Sequence, residues 1–411
     1  MADEAAPAAP PDAQPRHPEA PSPDADATAA DARRALEAAA KEAEDPGVAL
    51  EEMRYFTAFY WQEGRGYQSQ ADPVDGKGRE DAWIIQPMMY LRVRQNSQVV
   101  HELTLPVDVV SAASTDALDV VSKASEYNEA FSLDWTGTYS PSDVVDMSFQ
   151  FGFHYEEPLR SLIAGPALTF KLFEQNTIIG VQGTVIADGF DPHTFTGRDK
   201  GFAARTSFSF NLTLAQVLSP TTLLDASFGT TEQWGTLETT WNSMLAHRLP
   251  TEDSPATIDR TAEAFPRSRN RDALFVRLSQ HIPASHTTAK VGYRFYFDEN
   301  GVLAHTGEVD LYQYLVPWLY VRAHGRLHMQ NAISFWMPYI EEPFTERQLR
   351  TSDSDLAAFI SREAGIKLVF LRDRAPAAIR DKDSFEAGYL HYERTNGLSV
   401  DMFSVGYSRF F

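Results

Sequence analysis

Sixteen stretches of roughly ten residues, each alternating apolar and polar side chains, run from residue 53 to the C-terminus, and the connectors between them alternate in length. Successive side chains of a strand point to opposite faces, so a period of two marks a sheet with one apolar and one polar face. The clearest stretch sets Val145, Met147, Phe149, Phe151, Phe153 and Tyr155 against Asp146, Ser148, Gln150, Gly152 and His154. Phe131, Leu133, Trp135 and Tyr139 alternate with Ser132, Asp134, Thr136 and Thr138. Val291, Tyr293, Phe295 and Phe297 alternate with Lys290, Arg294 and Tyr296. A soluble sandwich alternates too. Connector length separates the two folds.

The spacing predicts strands over 53–62, 81–94, 97–109, 127–139, 144–156, 162–174, 177–187 and 201–216. It continues with 221–232, 271–282, 286–298, 302–314, 317–330, 357–371, 383–394 and 398–411. Counted along the chain, the even-to-odd connectors are mostly tight, among them Gln95-Asn96, Gln175-Asn176 and Leu315-Val316, with only Arg372 to Lys382 longer. The odd-to-even connectors hold every long segment: 63–80, 110–126, 188–200, 233–270 and 331–356. Membrane barrels carry short turns at one rim and long loops at the other, and an even strand count leaves both chain ends at the short-turn rim. A sandwich has no reason to sort its loops this way. The expected fold is all-β, a closed antiparallel up-and-down transmembrane β-barrel of about 16 strands over residues 51–411, behind a disordered tail over 1–50.

The tail follows from composition. Residues 1–52 carry 13 acids and 4 bases of a chain whose net charge is −21, and the first 48 are rich in Ala, Pro and Asp. Such a segment buries too little apolar surface to offset its ordering entropy. Asp31 to Glu44 can form a short helix stopped by Pro46 and Gly47, and the expected role of the tail is a tether toward a periplasmic partner, the alternative being a helix that blocks the lumen. The acidic balance argues against a nucleic-acid partner. With no cysteine there is no disulfide framework and no thiolate metal site. No apolar run reaches the ~18 residues of a transmembrane helix. The opening Met1-Ala-Asp-Glu-Ala-Ala-Pro7 shows no signal peptide, so the sequence is expected to be a mature form or to have its true start elsewhere.

At the other end Phe403, Val405, Tyr407 and Phe411 share one face of a strand. A chain that stops on an aromatic residue there resembles the last strand of bacterial outer-membrane barrels, where the ending is read by the barrel assembly machinery. Tyr407 and Phe411 are the candidates for that signal, and the strand is expected to close onto the first one near 53–62. Two hairpins fix the register if Glu299-Asn300-Gly301 and Thr395-Asn396-Gly397 are three-residue loops with a left-handed glycine. The expected pairs are Tyr293 with Val309, Arg294 with Glu308, Val405 with Tyr389 and Ser404 with Leu390.

Four stretches carry a family resemblance: Ser111-Ala-Ala-Ser114 with Lys123-Ala-Ser-Glu126, Leu214-Ala-Gln-Val-Leu-Ser-Pro-Thr-Thr-Leu-Leu224, Phe265-Pro-Arg-Ser-Arg-Asn-Arg-Asp-Ala-Leu274, and Tyr293-Arg-Phe-Tyr-Phe-Asp298. In order and spacing they resemble the bacterial family catalogued as domain of unknown function 3570. Glu299-Asn300-Gly301 stands where the family pattern has a tryptophan, and Ala112-Ala113 where it has a Gly-Ala/Ser element, which marks a divergent member. The resemblance implies an outer-membrane barrel of a Gram-negative bacterium and no particular activity.

The strand 317–330 is expected to turn Leu319, Val321, Leu327 and Met329 outward, and Trp318, Tyr320, Arg322, His324, Arg326 and His328 into the lumen as a basic ladder. Acids on neighbouring strands, Glu308 and Asp310, can neutralise it; otherwise it can favour anionic solutes. Arg294, Arg205, Arg277, Asp134 and Asp146 are further lumen-lining candidates. His324 and His328 lie ~13 Å apart along a strand, too far to share a metal. Ser111 and Ser114 read as loop residues without a G-x-S-x-G setting. Asp72, Asp75, Glu252, Asp253, Glu341 and Glu342 on the long loops read as solvated charge, with divalent cations beside lipopolysaccharide the alternative. No catalytic residue, cofactor or metal site is expected. The expected function is a channel or solute-binding transporter for small molecules in contact with outer-membrane lipid and lipopolysaccharide; a plugged structural or assembly barrel is the alternative, and an outer-membrane enzyme a third.

Overall fold

The computed structural model describes residues 47–64, 82–112, 127–156, 159–191, 198–238, 243–250, 255–372 and 383–411. The tail, including the stretch 31–44 expected to be helical, the connector 373–382, and Asp72, Asp75, Ser114, Glu252 and Asp253 lie outside the described residues, as does the Ser111 side chain.

All sixteen expected strands form. The first eight are β1 (Ala49–Gly64), β2 (Ala82–Arg94), β3 (Val99–Ala112), β4 (Tyr127–Ser142), β5 (Val145–Glu156), β6 (Leu159–Leu172), β7 (Thr177–Phe190) and β8 (Ala203–Ser219). After β9 (Thr222–Gly235) come two short strands, β10 (Ser243–Arg248) and β11 (Thr257–Ala262). The wall resumes with β12 (Ser268–Ile282), β13 (Thr287–Asp298), β14 (Leu303–Val316) and β15 (Leu319–Gln330). A third short strand, β16 (Tyr339–Glu342), precedes β17 (Phe359–Arg372), β18 (Asp383–Arg394) and β19 (Leu398–Phe410). Without the three short strands, the sixteen close a single antiparallel barrel. Closure joins β19 to β1, with Tyr407 opposite Tyr55 and Phe403 opposite Phe59, and the Phe411 N–H donates to the Glu51 carbonyl at 3.1 Å.

Outward positions are apolar. Val291 is 59% exposed and Ile366 52%, and Met147, Phe149, Phe151, Leu274, Val276 and Leu278 are likewise uncovered. Left in water, such a surface would cost about 25 cal/mol per Å²; in hydrocarbon it is at home. Aromatic rings lie outside at both ends of the strands, where a membrane interface accommodates them. Trp61 faces Trp83 and Phe131 faces Tyr155 near the long-loop rim, while Phe370 faces Phe385 near the short-turn rim.

Both three-residue hairpins form, with φ of +85° at Gly301 and +101° at Gly397, values that suit a residue without a Cβ. The expected pairs, however, are two residues out. A three-residue loop over 299–301, in which Asp298 accepts from the Asn300 and Val302 N–H groups, sets Asp298 opposite Val302, and counting back from there puts Tyr293 opposite Gly307 and Arg294 opposite Thr306. In the second hairpin Val405 faces Ala387, Ser404 faces Gly388, and Tyr389 meets Phe403. A shift of two preserves the face of every side chain, so the inward and outward assignments are unaffected.

The short strands form a separate sheet in the order β11-β10-β16, with β16 parallel to β10. It ties the long connector before β12 to the one before β17. Met244, Ala246 and Ile340 form one small core, and Val302, Ile333 and Phe335 another, packed against Tyr296, Phe265, Trp336 and Leu356. Arg350 fastens the two connectors by donating to the carbonyls of Ala262, Thr345 and Gln348.

Candidate functional site: the lumen wall

Because β13, β14, β15 and β17 are neighbours in register, their inward residues meet as cross-strand sets. Asp310 stands opposite His324, and Arg326 stands between Glu308 on one side and Glu363 on the other. Asp310 accepts from Arg322 Nε at 2.9 Å and faces His324 Nδ1 at 2.8 Å. The other ring nitrogen of His324 lies 2.9 Å from Glu363, which holds Arg326 more loosely at 3.5 Å. His328 leaves this chain of charges and meets the Thr306 hydroxyl at 2.8 Å. The basic ladder is therefore interleaved with acids along much of its length.

Other candidates are tied down in the same way. Arg277 donates to Asp225 at 3.1 Å, Arg205 to Asp188 at 2.7 Å, and Lys171 with Ser140 grips Asp146. Glu341 and Glu342 belong to β16, where Glu342 accepts from Arg248 at 2.6 Å. Trp318 departs from expectation. It lies in the turn before β15, 52% exposed, and its indole stacks on outward-facing Phe370 at 6.4 Å. The alternation that would turn it inward starts only at Leu319, where the ladder with Phe370 begins.

Glycines shape this wall. Asp134 lies over Gly152, directly opposite it, and an added Cβ there would stand 2.5 Å from the carboxylate. Glu308 lies over Gly292, and Asn211 over Gly229, each with 2.7 Å to a hypothetical Cβ. Long polar side chains thus lie flat against the wall instead of crossing the lumen. A recess of about 470 Å³ opens over Gly229, among Asn211, Ser227, Phe275, Arg294, Glu308 and Arg326. Nearer the short-turn rim a second cavity of about 530 Å³ gathers Tyr312, Tyr314 and Tyr320 with Arg54 and Lys290.

Glu363, Lys367, Glu386 and Asn211 were not singled out by the sequence. The alternation of β17, Ser361-Glu363-Gly365-Lys367 against Ile360, Ile366 and Leu368, carried the signal for two of them. Ser132 with His154, Thr288 with His281 and Thr306 with His328 are hydroxyl–imidazole pairs at 2.7 to 3.0 Å. All three are directly opposed across a ladder, a recurring cross-strand pair and not a lone activated nucleophile.

A closed barrel of sixteen antiparallel strands, apolar outside and polar within, defines a membrane-spanning β-barrel. The chain belongs to the family described as "Protein of unknown function (DUF3570)", which it matches over residues 142–398. No curated protein matches the sequence. Among solved structures, a BenF-like porin from Pseudomonas fluorescens Pf-5 is similar at 7% identity and a TM-score of 0.43, covering 88% of this chain and 99% of that one. OccK1 (OpdK) of Pseudomonas aeruginosa is similar at 8% and 0.40, covering 87% and 97%. A point mutant of the ferric enterobactin receptor PfeA of Pseudomonas aeruginosa is similar at 10% and 0.41, covering 84% of this chain and 54% of that one.

Proposed function

We propose that the protein is an outer-membrane channel or solute-binding transporter for small molecules. The observation that carries the proposal is the contrast between the two faces of one closed wall: rings and aliphatic chains outside, paired and unpaired charges inside. Closed antiparallel barrels with an even strand count and rims of unequal loop length are the architecture of bacterial outer membranes. Sixteen strands give a circumference that can hold an aqueous lumen. Phe411, 59% exposed at the short-turn rim, supports its reading with Tyr407 as the assembly signal. Reconstitution into planar bilayers tests the proposal. Stepwise current from protein with heat-modifiable gel migration is expected; its absence from such folded protein would sink the channel reading.

A further inference from the structure

We infer that the recess over Gly229 binds a small zwitterion of the α-amino acid class, with its carboxylate on Arg294 and its ammonium on Glu308. The inference rests on the lumen being a path or site for solutes, and adds the class of solute.

Arg294 and Glu308 carry opposite charge on adjacent strands, one register step apart diagonally: Arg294 faces Thr306, and Glu308 faces Gly292. Among the described residues, neither forms an ion pair or a side-chain hydrogen bond. That sets them apart from Arg205, Arg277 and Arg322, each of which is held by an aspartate. With no Cβ at Gly292, the Glu308 side chain lies along the wall, where an alanine methyl would stand 2.7 Å from both its Cγ and Oε1. Glu308 and Arg294 line the same cavity without pairing.

Two opposite charges, each unsatisfied and both lining one recess, are complementary to a ligand that carries both signs. A simple carboxylate would satisfy Arg294 and crowd Glu308; a simple amine would do the reverse. A zwitterion satisfies both. Arg326, opposite Glu308 and only loosely engaged at 3.5 Å by Glu363, lines the same recess. Asn211, Ser227 and Phe275 offer an amide, a hydroxyl and a ring to the ligand's side chain. The volume of about 470 Å³ falls within the range of small-molecule sites.

The test is calorimetric titration of folded protein in detergent with L-glutamine, and with acetate and ethylammonium as the two half-ligands. Saturable glutamine binding is expected, with each half-ligand at least tenfold weaker. R294Q and E308Q should each weaken glutamine at least tenfold, and G292A, which displaces Glu308 without touching either charge, at least threefold. Heat-modifiable migration certifies that each variant is folded. Acetate binding as tightly as glutamine, indifference to E308Q, or no glutamine binding by folded protein would overturn the inference. Conductance measured on the same preparations judges the channel reading separately: current without glutamine binding refutes only the zwitterion site, and binding without current supports the site while refuting the channel.

Discussion

Arg322 and Arg294 both point into the lumen, yet one is held and the other is not. Asp310 takes Arg322 at 2.9 Å and His324 at 2.8 Å, so the field of the ladder is largely spent within the wall. Under a salt gradient, R322Q should therefore move the reversal potential little, whereas R294Q should move it clearly toward cation preference; equal shifts would contradict this division. D310N should act in the opposite sense, leaving Arg322 without its carboxylate and raising anion preference. It should also lower stability by roughly 2 kcal/mol, the range for losing a hydrogen bond to a charged group, read as earlier loss of heat-modifiable migration on warming. Side-chain direction was legible in the sequence, because a period of two assigns a face wherever a strand is unbroken. Pairing was legible only through the turn: a loop over 299–301 between Asp298 and Val302 counts to Arg294 opposite Thr306, two residues from the expected Glu308, and a shift of two leaves the alternation pattern unchanged. Trp318 shows the other limit: at a turn the period does not apply.

At the scale of elements, the sixteen wall strands were legible and the three short ones were not. Met244, Leu245 and Ala246 of β10 are buried in succession, so no apolar–polar alternation marks the strand. β11 pairs with it from the same connector, but its other partner, β16, comes from a connector some ninety residues away in the chain, a pairing that local pattern cannot show. Directly after β11 lies a pH-sensitive group. Burial pushes the Glu263 carboxyl from 4.5 to about 7, opposed by hydrogen bonds from the Thr351 hydroxyl and the Ser352 N–H and reinforced by nearby Asp353. A carboxyl whose folded pKa is raised binds its proton more tightly when folded. Its contribution is thus full below the ordinary carboxylate value and declines as pH rises toward about 7, by at most about 1.4 kcal/mol per pH unit. Hydrogen exchange should find the segments around 257–264 and 350–353 better protected at pH 5 than at pH 8. E263Q should flatten that difference; a difference that persists in E263Q would assign it elsewhere. R350A removes a buried side chain with three carbonyl partners and should deprotect the same segments at every pH.

For the whole molecule, closure is the property on which the rest depends. The last strand supplies it by pairing with β1 from Glu52 opposite Phe410 to Gly64 opposite Leu398. Deleting Phe411 removes a ring from the short-turn rim and the N–H that reaches Glu51, and should reduce the yield of heat-modifiable protein in membranes more than it lowers the stability of what has assembled. The most direct measurement of the membrane-spanning, water-lined barrel uses the absence of cysteine from the chain. Single cysteines placed in turn at 319 to 328 along β15 of protein reconstituted in vesicles can be probed with a charged, membrane-impermeant thiol reagent. Reactivity should alternate: high at Arg322, His324 and Arg326, which face water in the lumen, and low at Val321, Ala323 and Leu327, which face lipid. Uniform reactivity along the strand, or protection of the inward positions, would contradict the account.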